Sequence, residues 1–282
     1  VGASVLSMVV GEVDRKGLED FSSLMQIQQK QTDWSWQWQN YQDDEQWLFC
    51  DWIHPLTLED FRDQRVLDAG CGGGQHLSFV APYAREVVGV DLNTVPIAAE
   101  RNHLAANVKT VEADIARLTV SEPFDIVYSI GVVHHTDDPD ATFANLAKLT
   151  RPGGKTIVWV YSYEGNFLNR TLVEGLKWIF VSHLPKAVVR VLSHLFTALL
   201  YLPVYTLYFL PLHFLPYYQY LKNFRKLSFY RNDLNVFDKL NAPQTEFISR
   251  DRIERWFREN GYQEVHISLY RGVSWRGSGT KL

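Results

Sequence analysis

At 282 residues, 46% hydrophobic and 21% charged, the chain is long enough for one large α/β domain with insertions and too apolar for disorder over most of its length. Two cysteines, Cys50 and Cys71, exclude a disulfide framework and a four-thiolate zinc site, and fit a reducing compartment. The net charge of −4 argues against a whole-chain nucleic-acid binder.

Val1 to Val10 are mildly apolar but lack the basic start and small-residue cleavage site of a secretory signal, so no export signal is read there and a cytoplasmic location is expected. Thr32 to Tyr41 packs Trp34, Trp36, Trp38 and Tyr41 into ten residues. A short strand and an irregular cap both fit that alternation, and residues 1–61 are expected to form an aromatic, helical cap.

From Gln64 the pattern becomes regular. Arg65 to Gly70 is a short apolar run ending in glycine, as a buried parallel strand does. Residues 75–83 fit a helix, Glu86 to Asp91 a second strand, 95–106 a helix and Val108 to Glu112 a third strand. Phe124 to Ile130 is a fourth strand. Asp138 to Leu149 is a helix, with Asp138 as N-cap and Arg151-Pro152-Gly153-Gly154 as its stop. Thr156 to Tyr161 is a fifth strand. The rhythm breaks for about 80 residues and resumes with a helix at Ser249 to Asn260, stopped by Gly261, and short strands at Gln263–Tyr270 and Val273–Trp275. Alternating strands and helices predict a doubly wound α/β fold with a mostly parallel sheet.

Asp68-Ala69-Gly70-Cys71-Gly72-Gly73-Gly74 lies where the first strand turns into a helix. Glycines there let backbone pass close to a ligand, and the helix start offers free N–H groups. Asp91, 23 residues after Asp68, ends the next strand, where an acid takes ribose hydroxyls, and Asp114, a further 23 residues on, follows the third strand. Three acids at successive strand ends share the ligand edge of an open sheet and point to a nucleoside cofactor. A dinucleotide is the nearest competitor. Its Gly-x-Gly-x-x-Gly spacing, started at Gly70, requires glycine where Gln75 stands.

Val66 to Gly74 resembles the first motif of class I S-adenosylmethionine-dependent methyltransferases, Val88 to Asp91 the second, and Ala113-Asp114-Ile115 their adenine-binding motif. Phe124 to Val127, Val133 to His135 and Leu149 to Gly154 resemble the later motifs. The resemblance implies a Rossmann-like, seven-stranded, mostly parallel sheet with the last strand antiparallel, built from residues 62–163 and 246–282. It implies S-adenosylmethionine as cofactor and S-adenosylhomocysteine as its product. Asp68 would orient the turn, the Gly70 and Gly72 backbones would line the methionine portion, and Asp91 would hold the ribose. Leu92 and Ile115 would flank the adenine and Asp114 would bind its amino group. Cys71 and Ile130 complete the cofactor-binding set. The segment Trp34 to Tyr41 also resembles the leading segment of one bacterial branch, where it closes over the methionine end.

Methyl transfer needs an in-line nucleophile, and a hydroxyl or acidic-carbon acceptor also benefits from a base. His134 and His135 follow the fourth strand at the mouth of the expected site, with a base role and a loop-fixing role both open; His135 is the favoured base. His134, Asp137 and Asp138 have poor metal-ligand spacing, and no metal is expected. Tyr161, Tyr163 and Glu164 follow the fifth strand, where an acceptor or plain packing fits. Arg271, Trp275 and Arg276 either hold an anionic acceptor or finish the sheet edge. Methyltransferases acting on nucleic-acid amino groups carry an Asn/Asp-Pro-Pro-aromatic motif where Ser129-Ile130-Gly131-Val132 stands, which disfavours nucleic acid.

Residues 164–245 form an apolar, basic, helical insertion. Within 165–232 there are eight basic side chains and one acid, Glu174; subtracting that +7 from the chain's −4 leaves −11 on the rest. Val191 to Leu221 contains no charged residue, and Pro203, Pro211 and Pro216 argue against one straight membrane span. A membrane-interface element, a lid over the core and a homodimer surface all fit this pattern. The expected acceptor is a small apolar or lipid-linked molecule methylated on oxygen or activated carbon, with peripheral contact at the inner face of the membrane through 191–221. The rivals are a membrane-docked nucleoside-binding or scaffold protein without turnover, and a protein or nucleic-acid methyltransferase.

Overall fold

Seven strands form one sheet: β1 (Arg65–Ala69), β2 (Glu86–Asp91), β3 (Val108–Glu112), β4 (Phe124–Ile130), β5 (Thr150–Tyr161), β6 (Tyr262–Tyr270) and β7 (Ser274–Lys281). The structure is a computed structural model and describes residues 32–41 and 45–282; the signal-peptide reading of Val1 to Val10 and most of the expected cap lie outside the described residues. The strand order is β3-β2-β1-β4-β5-β7-β6. Strands β1 to β5 are parallel, and β7 runs antiparallel to both β5 and β6. The order reverses between β1 and β4. At such a switch point a crevice opens beyond the strand C-termini, which is where ligands bind in open α/β sheets.

β1 is central and covered on both faces, so Val66, Leu67, Asp68 and Ala69 are all buried and the run shows no alternation. Helices α2 (Gln46–Ile53), α3 (Gln75–Val80) and α4 (Val95–Arg101) supply one core layer, around Phe49, Leu77, Val80 and Ala98. Helices α5 (Pro139–Leu149) and α10 (Arg250–Glu259) supply the other, around Phe143, Leu146, Trp256 and Phe257. The expected boundaries of α5 and α10 hold. Asp138 caps α5 by accepting from the Ala141 N–H, and Gly261 ends the α10 region at φ +71. α5 ends at Leu149, before Arg151 to Gly154, and those residues belong to β5, which starts at Thr150 rather than at the expected Thr156 and has an irregular register there.

Two further expectations are corrected. Residues 32–40 form helix α1, against both the strand and the irregular reading of that run. Trp34 and Trp38 fall four positions apart, the spacing of one helical face, and the shorter-period alternation is incidental. The final strand runs to Lys281, well past Trp275. Gly277 and Gly279 hid it, because glycine is a poor strand former. They are glycines because α10 lies on the strand: a Cβ at Gly277 would meet Ile253 and Phe257 at 2.8 Å, and one at Gly279 would meet Phe257 at 2.9 Å.

The insertion after β5 contains α6 (Glu174–Phe180), α7 (Lys186–Tyr205), α8 (Tyr218–Asn223) and α9 (Phe229–Asn241). α7 and α9 pack together with the end of α1 through Tyr41, Val189, Leu234 and Phe237. The fully buried Asp233 carboxylate accepts from the hydroxyls of Tyr41 at 2.8 Å and Ser193 at 2.7 Å. Burial and the neighbouring carboxylate hold the Tyr41 phenol well above its ordinary range, so it stays a donor.

Candidate active site

The turn after β1 has Gly70, Gly72 and Gly74 at φ +93, +50 and +78, a backbone that residues with a Cβ rarely adopt. It is tied down from β2: the Asp91 carboxylate accepts from the Gly72 N–H at 2.9 Å and from the Leu92 N–H at 2.8 Å. Burial raises the Asp91 pKa, and the Gly72 bond opposes that rise. The Asn93 N–H and the Thr94 hydroxyl oppose it too, and the carboxylate still faces the cavity, where ribose hydroxyls would reach it. The Trp38 indole packs on the same turn, 2.7 Å from where a Gly72 Cβ would stand.

Beyond the turn lies a cavity of about 1340 Å³. A single-ligand pocket is typically about 300–1,000 Å³, so this one has space for a cofactor and an acceptor together. Gly70, Cys71, Gly72, Asp91 and Leu92 form one end. Asp114, Ile115 and Ile130 continue the same wall. Asp114 Oδ1 accepts from the Ala116 N–H at 2.9 Å, and 41% of its side-chain surface is open. A ribose-binding acid, a second acid and apolar side chains therefore surround one volume, which fits an adenosine group. Burial keeps the Cys71 thiol well above its ordinary range, so it acts as a small apolar wall residue rather than a nucleophile.

Two expected site residues lie off the cavity wall. Asp68 is fully buried beneath the turn beside Tyr128, and burial raises its pKa strongly. His134 is fully buried, makes no hydrogen bond through either ring nitrogen among the described residues, and packs against Tyr161 and His135. The short turn Val133–His135 rotates it into the packing and presents its neighbour instead. Burial depresses the His134 pKa strongly, so it is a neutral packing residue.

His135 does reach the cavity. Its Nδ1 lies 2.7 Å from the Gln244 carbonyl oxygen. A carbonyl only accepts, so Nδ1 carries the hydrogen and Nε2 keeps its lone pair. Trp34 packs on the ring with centroids 4.9 Å apart. Burial pulls the imidazole pKa below its ordinary value, partly offset by the Asp238 carboxylate. Asp137 and Asp138 also line the cavity, Asp138 with its Oδ1 committed to the α5 cap.

Residues the sequence reading passed over close the far end. Asp238 accepts from the Tyr161 hydroxyl at 2.9 Å and from Gln37 Nε2 at 3.2 Å. Lys239 Nζ donates to Tyr220 at 3.0 Å and lies over the Tyr161 ring. Only their position in a helix of the insertion, folded back over the strand ends, brings them to the site; no motif marks them. Of the fifth-strand candidates, Tyr161 lines the cavity, while Tyr163 stacks with Arg170 and Glu164 accepts from the Arg250 N–H and from Trp275. Trp275 and Arg276 lie on β7, inside the sheet between β5 and β6 rather than at its edge, with Arg276 donating to the Asp51 carbonyl, and Arg271 pairs with Asp51 at the rim of the cavity.

Comparison with known proteins agrees with this geometry. Residues 67–158 match the family model described as a methyltransferase domain. A ubiquinone biosynthesis O-methyltransferase from Hahella chejuensis (strain KCTC 2396) is 34% identical over 115 residues, covering 36% of this chain and 47% of that protein. Phosphoethanolamine N-methyltransferase 1 from Triticum aestivum is 37% identical over 105 residues, covering 35% of this chain and 21% of that one. The chain spans about half the length, or less, of the curated relatives it matches first. The fold is shared with the crystal structure of a 1,6-didemethyltoxoflavin-N1-methyltransferase from Burkholderia thailandensis, solved with its substrate and S-adenosylhomocysteine. The TM-score is 0.50 at 14% identity, over 93% of this chain and 89% of that one.

Proposed function

We propose that this chain, whose residues 67–158 are a class I S-adenosylmethionine-dependent methyltransferase domain, methylates oxygen or an activated carbon of a small apolar acceptor. The observation that carries the reading is the single continuous cavity, with ribose- and adenine-suited acids at the glycine turn and apolar insertion side chains at its other end. S-adenosylmethionine, when bound, supplies an electrophilic methyl group on a sulfonium centre. Asp91 holds the ribose hydroxyls, Asp114 takes the adenine amino group, and Leu92, Ile115 and Ile130 enclose the base. Gly70 and Gly72 would line the methionine portion, with Trp38 packed on the same turn.

The rest of the work is positioning and proton removal. Holding two reactants in line is worth roughly 7–11 kcal/mol of barrier. His135 takes the acceptor proton at Nε2, because the Gln244 carbonyl holds the hydrogen on Nδ1 and burial keeps the ring neutral. The first curated relatives are named for O-methylation, which supports an oxygen acceptor. Asp68, buried under the turn, supports the cofactor indirectly.

Calorimetric titration with S-adenosylhomocysteine, followed by label transfer from S-adenosylmethionine to a panel of alkylated phenols and catechols, tests the reading. Binding with turnover of at least one apolar hydroxyl acceptor is expected. Absence of binding overturns it, and binding with turnover only of peptides or nucleic acids redirects it.

A further inference from the structure

The outer face of the insertion has inverted polarity. α7 buries Val189, Ser193, Thr197 and Val204, and the middle two hydroxyls sit at the buried Asp233. Its exposed stripe is Val188, Val191, Leu195, Leu199 and Leu202, at intervals of three and four, with no polar member. A helix facing water has the reverse arrangement. The helix is 20 residues long, and only 22% of its most apolar window is buried. The patch extends beyond α7. Trp178 is 71% exposed, and Phe209 and Phe214 are 64% and 81% exposed. Soluble monomers rarely leave apolar surface of this extent uncovered.

Two observations select the occupant. The first is charge. Lys222, Arg225 and Lys226 follow the apolar stretch, and among the described residues no carboxylate lies within ion-pair distance of any of them. The Arg225 guanidinium sits 5.0 Å over the exposed Phe209 ring, so the cations border the patch directly. Residues 165–232 are +7 on a chain that is otherwise −11, so an electrostatic attraction to an anionic surface is concentrated on this part of the insertion. The second is the cavity. Leu176 and Phe180 of α6 and Phe196 and Leu199 of α7 line it, and the same four residues belong to the exposed patch. The cavity therefore opens between α6 and α7, bordered by exposed apolar side chains of both. A spanning arrangement would place the Asp233 cluster and the adjoining α9 in hydrocarbon, at high cost, whereas a helix lying in the interface leaves them on the protein side.

We infer that this face docks on an anionic bilayer and that the gap between α6 and α7 is a lateral portal through which a lipid-soluble acceptor passes from the membrane into the cavity. The portal half rests on the methyl-transfer reading; the docking half does not.

The test uses the full chain and vesicles of phosphatidylcholine, alone or with phosphatidylglycerol at roughly one third. Flotation is expected with the anionic vesicles and at least about tenfold less with the neutral ones, since each interfacial cation contributes about 1 kcal/mol. Phosphatidylcholine brominated on the acyl chain should quench a fluorescence component that Trp178→Phe removes. Leu195→Glu/Leu202→Glu should abolish flotation, and Lys222→Glu/Lys226→Glu, which changes only exposed charges, should reduce it; both should bind S-adenosylhomocysteine as the parent does. No flotation of a protein that binds S-adenosylhomocysteine overturns the inference. So does a dimer that forms without vesicles, shields Trp178 and is broken by the Leu195/Leu202 variant. Flotation without S-adenosylhomocysteine binding upholds the docking half and removes the portal together with the methyl-transfer reading.

Discussion

The Nδ1 of His135 donates to the carbonyl oxygen of Gln244 at 2.7 Å, which joins the turn after β4 to the end of the insertion. That bond selects the tautomer whose Nε2 is bare. His135→Asn should lower kcat by about 10²- to 10⁴-fold, the usual worth of general-base catalysis, with little change in S-adenosylhomocysteine affinity. The parent should lose kcat as pH falls through the His135 pKa. Burial places that pKa below the ordinary 6.5, so the acidic limb should start below that value and the profile should be flat through neutrality. A limb unchanged in the variant would assign the base elsewhere.

Asp91 does two things at once: it fixes the glycine turn through Gly72 and it faces the cavity. Asp91→Ala should weaken S-adenosylhomocysteine binding by roughly tenfold to a hundredfold or more, since hydrogen bonds to a charged group are worth about 1.5–3 kcal/mol each. His135→Ala should change it by less than about threefold. Equal losses in calorimetry would refute this division of roles.

His134 is buried with both ring nitrogens unbonded among the described residues, and burial lowers its pKa. The unfolded chain therefore binds its proton first as pH falls. Stability from this residue is complete above about pH 6.5 and declines below it by about 1.4 kcal/mol per pH unit. His134→Phe should flatten the dependence of the urea midpoint between pH 7 and pH 5. A slope identical to the parent's would show that other groups carry it.

Asp233→Ala leaves the Tyr41 and Ser193 hydroxyls buried without their acceptor, at about 1–3 kcal/mol for each. The loss should be local, because the cluster joins α1, α7 and α9 and not the sheet. Hydrogen exchange should accelerate in 186–205 and 229–241 while β1 and β4 stay protected. Uniform acceleration across the sheet would contradict this partition.

The sheet and the glycine turn were legible because they rest on local rules. A buried parallel strand shows as an apolar run, and a helix start after glycine shows as a turn; Asp68, Asp91 and Asp114 fall at strand ends by spacing alone. Long-range packing was not legible. Gly277 and Gly279 disguise a strand that needs glycine only because Ile253 and Phe257 lie across it. The aromatic run at Trp34 to Tyr41 fits two periods, and its contact with the Gly72 turn selects the helix. Between His134 and His135 the chemistry is equal, and only the rotation of one short turn decides which ring meets the cavity. Asp238 and Lys239 have no sequence signal, since a helix some 75 residues past β5 carries them back to its end.

Helix α1 sends consecutive side chains to two places. Trp38 rests on the glycine turn, and Gln37 donates to Asp238 and accepts from Asn241 at the opposite end of the cavity. A rigid element seated on both halves of one volume makes their occupancies reciprocal. Any movement of the helix that one guest favours alters the affinity for the other, and the factor is the same whichever arrives first. The coupling between the two guests is thus carried by a single helical turn, and measuring either guest's affinity in the presence of the other reads its size.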